Sequence, residues 1–255
     1  MRSTIPLTLA ALLTSTAPAF ALTVNWIDWQ SSSTAGGGFT ATGQIVSGTE
    51  TIDVTYTNAQ GVSFIQTGSG VNYFTPTDPA TSPYTSTGPL GNDNIPTAAE
   101  MIALNRQGSQ TLTFSQTVEN LYLSFVSLNR NGYTFDQDLE ILSQTGANID
   151  GAGADAAGFW GTGLVTKVDN LDGTFSINNP TAGEPHGTLL FASQFDTLTW
   201  NSDSNENWNG FTIGIQGTAT QVSPVSPVPL PAGGLLLLSG LFGVGALKRW
   251  KKHTA

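Results

Sequence analysis

The sequence predicts an all-β domain, an antiparallel β-sandwich of jelly-roll or lectin-like type with one short helix, held between an N-terminal signal peptide and a C-terminal transmembrane helix. Three observations predict it. Residues 22–217 consist of short apolar/polar alternating runs broken by Gly, Asn, Asp and Ser, the period-2 pattern of half-buried strands. Thr, Val, Ile and aromatic residues dominate those runs, as pleated surfaces favour. Helix start signals are nearly absent from the same stretch.

Taken in order, residues 1–21 read as a secretory signal. Arg2 gives a positive start, residues 5–13 a short apolar run, and Ala19-Phe20-Ala21 a small-x-small cleavage site with Ala19 and Ala21 at its small positions. The mature chain then begins at Leu22. Residues 75–94 contain Pro76, Pro79, Pro83 and Pro89 among small polar residues, a long connection of the kind that forms binding loops or stays disordered. Thr97 and Glu100 follow Pro96 at capping-box spacing, which predicts a helix over 98–105 that plugs the sandwich or covers a sheet edge.

The strands come next. Thr111-Leu112-Thr113-Phe114 and Leu121-Tyr122-Leu123-Ser124-Phe125 alternate, and Tyr133, Phe135, Leu139 and Ile141 share one face of a third run. Runs 163–169 and 173–178 flank Asn170-Leu171-Asp172, whose Asp172-Gly173 pair signals a hairpin. Runs 187–192, 196–201 and 208–217 complete the set. Residues 218–227 turn to Thr, Ser, Val and Pro and read as an extended stalk.

The C-terminal segment, 228–255, has three parts in order. Val228-Pro229-Leu230-Pro231-Ala232 is stiff, because each proline fixes its own φ and restricts the residue before it. Residues 230–247 contain no charge. At about 1.5 Å per residue they cover most of a hydrocarbon core of about 30 Å. Lys248, Arg249, Lys251 and Lys252, within the tail 248–252, hold that end in the cytoplasm. This order of motif, span and basic tail resembles the PEP-CTERM family of sorting signals in its VPLPA variant. The resemblance implies an exosortase-type processing enzyme as partner, anchoring in the inner membrane, and display on the cell surface or release. Leu230 stands where that family has its name-giving Glu, which implies a variant enzyme. Glu184-Pro185-His186-Gly187 and Glu206-Asn207-Trp208-Asn209-Gly210-Phe211-Thr212 also resemble ectodomains of such proteins, and that likeness implies no activity.

Charge narrows the function. Between the basic termini only Arg106, Arg130 and Lys167 face all 18 acidic residues, and a domain so acidic repels phosphate backbones, so no nucleic-acid partner is expected. Cysteine is absent, which excludes thiol nucleophiles and thiolate metal sites. His186 is the one ectodomain histidine, and Pro185 and Gly187 beside it predict a turn or strand edge. Asp136, Asp138 and Glu140 alternate on the face opposite Phe135, Leu139 and Ile141, with i and i+2 about 7 Å apart. That spacing suits a glycosidase, although a solvated acidic strand face is the plainer reading.

A calcium site is the one cofactor with support. Asn201, Asp203, Asn205 and Glu206 alternate oxygen ligands as a calcium loop opens, but Glu206 occupies the Gly position and Thr212 the bidentate Glu position of an EF-hand. Trp160 and Trp208 sit beside loops and are candidate sugar-stacking platforms, whereas most tryptophans belong in the core. The sequence therefore predicts a non-catalytic surface module that binds extracellular polysaccharide or matrix. An exported carboxylate-dependent hydrolase and a structural surface protein without a defined ligand are the alternatives.

Overall fold

A computed structural model describes residues 22–179 and 183–222. The signal segment with Ala19 and Ala21, the motif Val228, Pro229, Leu230, Pro231 and Ala232, the span, and the tail with Lys248, Arg249, Lys251 and Lys252 all lie outside the described residues. Among the described residues no helix is long and apolar enough to cross a membrane.

The domain is antiparallel β-sheet almost throughout. Its N-terminal third forms β1 (Asn25–Trp26), β2 (Asp28–Ala35), β3 (Gly38–Ser47), β4 (Glu50–Asn58) and β5 (Phe64–Thr67). The middle contributes β6 (Glu100–Leu104), β7 (Gly108–Val126), β8 (Gly132–Phe135) and β9 (Glu140–Gln144). The last third holds β10 (Thr166–Asp169), β11 (Phe175–Asn178), β12 (Gly187–Ser202) and β13 (Asn209–Thr218). The β2–β3 hairpin closes on Gly36 and Gly37, both at positive φ (58° and 86°). Two left-handed residues match the twist of paired strands, and glycine adopts them without a Cβ penalty.

Two long strands organise the sheet. The first half of β7 pairs with β4 through Val54↔Phe114, and the second half pairs with β13 through Phe211↔Phe125. β12 follows β7 along both halves, with register shifts between Phe191 and Gln194 and between Phe195 and Thr197. Such bulges bend a strand and let it leave one set of neighbours for another. One half of the sheet runs β2-β3-β4-β7-β12-β8-β11-β10, and the other carries β13, β6 and β5. Across the enclosed core Tyr56 and Trp200 of the first half meet Phe211 of the second, at 5.5 and 5.2 Å between ring centroids.

The burial pattern explains which strands read clearly. β4 alternates, with Ile52, Val54 and Tyr56 inward. The second half of β7 is buried on both faces, because Tyr122 packs with Val24 and Leu190 while Val126 packs with Phe74 and Tyr84. Phe74 and Tyr84 belong to the long connection between β5 and β6. That connection is therefore packed against the sheet: Phe74 and Tyr84 are fully buried, and Asn92 donates to the Tyr84 carbonyl at 2.5 Å. The Thr75-Pro76 peptide within it is cis.

Two expectations need correction. Residues 98–105 are not a helix, because β6 occupies 100–104. Ile102 and Leu104 face the main core, and Met101 and Ala103 face the second cluster under the long connection. Alternate burial on two faces requires a strand, and it overrides a local helix preference. Glu100 caps nothing; its carboxylate accepts the Trp29 N–H at 2.8 Å and the Gly68 N–H. The only helix among the described residues is α1 (Ala219–Val222), inside the stretch read as an extended stalk, where Gln221 bonds the Ser47 carbonyl at 3.0 Å and the Thr218 N–H at 2.9 Å.

Second, Asp136, Asp138 and Glu140 do not share a strand. The chain bends between β8 and β9, where Asp136 accepts the Thr199 N–H at 3.1 Å and Asp138 pairs with Lys167. His186 lies in the connection just before β12, at the strand edge that Pro185 and Gly187 predict. It is fully buried, with Nδ1 bonded to the Tyr84 hydroxyl at 2.8 Å.

Candidate functional site

One cleft, of about 610 Å³, gathers aromatic and polar side chains from four segments that are far apart in sequence. Trp208 enters from the residue before β13. Trp160 comes from the turn 158–161, closed by backbone bonds between Gly158 and Gly161 of 2.8 and 3.2 Å. That turn lies tight against the buried His186 ring, since a Cβ on Gly158 would fall 2.5 Å from the imidazole. The other walls are the chain leaving β7, with Ser127, Asn129 and Arg130, and the approach to β12, with Glu184.

Aromatic packing sets the two indoles. Trp160 and Trp208 meet edge to face at 5.0 Å. Tyr73, from the long connection, stacks on Trp160 at 5.2 Å and meets Trp208 edge-on at 5.0 Å. Phe64 of β5 supports Trp208 from behind at 5.0 Å. Trp208 is half-buried, but Trp160 remains 43% exposed and its neighbour Phe159 42%. A large aromatic held rigidly yet left open to solvent is unlike the other tryptophans of the fold. Trp29 and Trp200 are buried in the core.

The polar side of the cleft is built on two carboxylates. Glu184 accepts from the Ser127 hydroxyl and from Asn129 Nδ2 at 2.8 Å. Glu206 accepts from Asn131 Nδ2 at 2.8 Å and from Asn209 Nδ2. Asn129 holds Glu184 by its side chain, while its backbone N–H bonds the Ser127 carbonyl at 2.8 Å. Every one of these donors is neutral. Desolvation, with the nearby Glu184 charge adding to it, pushes the Glu206 carboxyl up to about 7. Arg130 also lines the cleft but pairs with neither acid. Among the described residues the salt bridge is that of Lys167 with Asp138.

The backbone is strained at the same place. Ser127 and Arg130 adopt φ of 58° and 51° without being glycine. Such conformations cost about 1–3 kcal/mol each and persist where surrounding structure enforces them, commonly at ligand sites. Asn131 ties the chain that follows to the 203–206 loop: its Oδ1 accepts the Gly132 N–H at 2.8 Å, the Ser204 N–H at 2.8 Å and the Ser204 hydroxyl at 3.0 Å.

The structure brings Trp160 and Trp208 together and gives each calcium candidate its own surroundings. Asn201 is exposed on β12, and Asp203 accepts the Thr134 hydroxyl at 3.2 Å. Asn205 accepts the Gln107 N–H at 2.8 Å, and Glu206 turns into the cleft. Among the described residues no three His, Cys, Asp or Glu side chains are grouped as metal ligands would be. Sequence reasoning missed Tyr73, Asn129 and the part played by Glu184. The turn-rich run Leu128-Asn129-Arg130-Asn131-Gly132 was the one local signal of a shaped loop there. No protein-family model, curated protein or solved structure matches this chain.

Proposed function

We propose that this chain is an exported surface protein whose β-sandwich, lectin-like in kind, binds polysaccharide in the Trp160–Trp208 cleft without cleaving it. The observation that carries the reading is the cleft itself. Two indoles that stand far apart in sequence meet at 5.0 Å beside carboxylates and amides, and one of them stays 43% exposed. Sugar rings offer apolar C–H faces and a rim of hydroxyls. Indole faces take the first and oriented amides and carboxylates the second, the division of labour usual in small-molecule sites. The signal peptide and the VPLPA-type tail support delivery to the cell envelope, with an exosortase-type enzyme and the inner membrane as partners on the way.

Two experiments test the two halves of this reading. A glycan array probed with the full-length chain in detergent should give a defined set of binders, and Trp160→Ala should lose them while keeping its near-ultraviolet circular dichroism. An array on which the parent chain binds nothing rejects the glycan reading. Intact mass of the protein recovered from an exosortase-bearing host should show a mature C-terminus near residues 228–232. Retention of residues up to Ala255 rejects processing.

A further inference from the structure

We infer that the glycan taken by this cleft carries free amino groups, so that the ligand is a hexosamine oligomer or polymer presenting ammonium ions. The inference rests on the glycan-binding reading and names the class of sugar that the same site selects. Three independent features point the same way.

The first is uncompensated charge. Glu184 and Glu206 are held by hydroxyl and amide donors and by no cation among the described residues. Neutral donors orient a carboxylate without cancelling its charge; Glu184 offers that charge directly, and Glu206, whose carboxyl burial holds up near neutrality, ionises as an ammonium ion settles beside it. The second is the pair of indoles. Trp160 and Trp208 line the same cleft as the two acids, and a cation over an indole face is attracted by the ring quadrupole, more strongly when partly desolvated. Carboxylates and tryptophans side by side satisfy both halves of an ammonium ion, which a neutral hydroxyl does not exploit.

The third is the field of the whole domain. Between its termini only Arg106, Arg130 and Lys167 offset all 18 acidic residues, and Lys167 is already paired with Asp138. A surface so acidic concentrates cationic polymers near it and repels anionic ones. Arg130 is the one opposing charge in the cleft, and it is exposed. It therefore supplies a test of sign: its removal should strengthen an ammonium ligand and weaken an anionic one.

The decisive experiment is calorimetry of the full-length chain with three hexamers at pH 6 and moderate salt. These are β-1,4-linked glucosamine, its fully N-acetylated counterpart, and the glucose oligomer. The glucosamine hexamer should bind at least about tenfold more tightly than either other sugar. The Glu184→Gln/Glu206→Gln variant should reduce that preference to less than about threefold, and Arg130→Gln should raise affinity for glucosamine about two- to threefold. Trp160→Ala should weaken all binding.

Equal or tighter binding of the acetylated or glucose hexamer overturns the amino-sugar assignment while leaving the glycan-binding reading intact. A glucosamine preference that survives in the double Gln variant, or that Trp160→Ala does not weaken, also overturns it, since attraction then comes from the acidic surface at large. A calcium titration that gives heat and blocks glucosamine replaces the ammonium with a metal ion at the same acids and likewise overturns it. If no hexamer binds, this inference and the glycan-binding reading fall together. Arg130 is exposed, so its variant keeps the test valid even if the double Gln variant does not fold.

Discussion

Gly158→Ala should destabilise the domain through a residue it does not visibly belong to, the buried His186. Gly158 has no Cβ, and one built there would lie 2.5 Å from His186 Cδ2 and Cγ and 2.9 Å from Nδ1. Ordinary contact begins at 3.4 Å, so ring and turn must part by close to an ångström. The ring has nowhere to go: it is fully buried, and its Nδ1 is tied at 2.8 Å to the hydroxyl of Tyr84, itself fully buried. Overpacking of a tight site costs about 1–3 kcal/mol. In a domain of this size that lowers the melting temperature by roughly 2–4 °C per kcal/mol. Urea unfolding followed by tryptophan fluorescence measures it, and a double-mutant cycle isolates the cause. In a His186→Ala background the added methyl meets free space, so Gly158→Ala should there be neutral within about 0.5 kcal/mol, a coupling energy of about 1–3 kcal/mol. Gly158→Ser, larger still, should cost more than Gly158→Ala in the parent and remain tolerated in the His186→Ala background. Equal costs in the two backgrounds, or a neutral Gly158→Ala in the parent, would refute the claim that the turn carrying Trp160 rests on the imidazole.

Further outcomes follow from the same structure. Burial lowers the His186 imidazole from 6.5 to about 4, so the unfolded chain binds its proton first and stability is lost as pH falls from about 6.5 towards 4. The upper bound on that loss is about 3 kcal/mol, and His186→Phe should flatten the slope of urea stability over that window. Glu206 has the opposite sign. Its folded carboxyl, raised from 4.5 to about 7, contributes most below 4.5 and loses its contribution as pH climbs through 7, so Glu206→Gln should be more stable than the parent at pH 8 and no more stable at pH 4. Glu100→Ala leaves the buried Trp29 N–H and the Gly68 N–H without acceptors. A loss of about 2–5 kcal/mol is expected in chemical unfolding, and a cost under about 1 kcal/mol would contradict its bridging role. Trp160→Ala should cost less stability than Trp208→Ala, because Trp160 is 43% exposed whereas Trp208 is half-buried against Phe64 and Tyr73. Differential scanning calorimetry giving the reverse order would place the main support of the aromatic cluster on the turn at 158–161.

What the sequence determined by itself was local. The alternation of Thr111 to Phe114 and of Leu121 to Phe125 marked strand, and both runs lie in β7. Asp172-Gly173 marked a hairpin, and β10 and β11 pair across it with Leu171 and Gly173 at positive φ. These succeed because side-chain period and turn conformation are properties of neighbouring residues. Trp160 and Trp208 stood out for the same reason, as large aromatics beside turn residues. Tertiary structure decided everything that depends on what a residue faces. Residues 100–104 carry a helix start signal, yet two apolar clusters, one on each side, make them a strand. Pro185 and Gly187 place His186 at the edge of a strand, where it is, but only the fold brings Tyr84, 102 positions away, to bind it in the interior. The paired runs 187–192 and 196–201 are one bent strand, because its bulges answer to β7 rather than to its own sequence. The cleft is the extreme case: Tyr73, Asn129, Glu184 and Glu206 carry no signal in common, and only the meeting of four chain segments turns two separate tryptophans into one site.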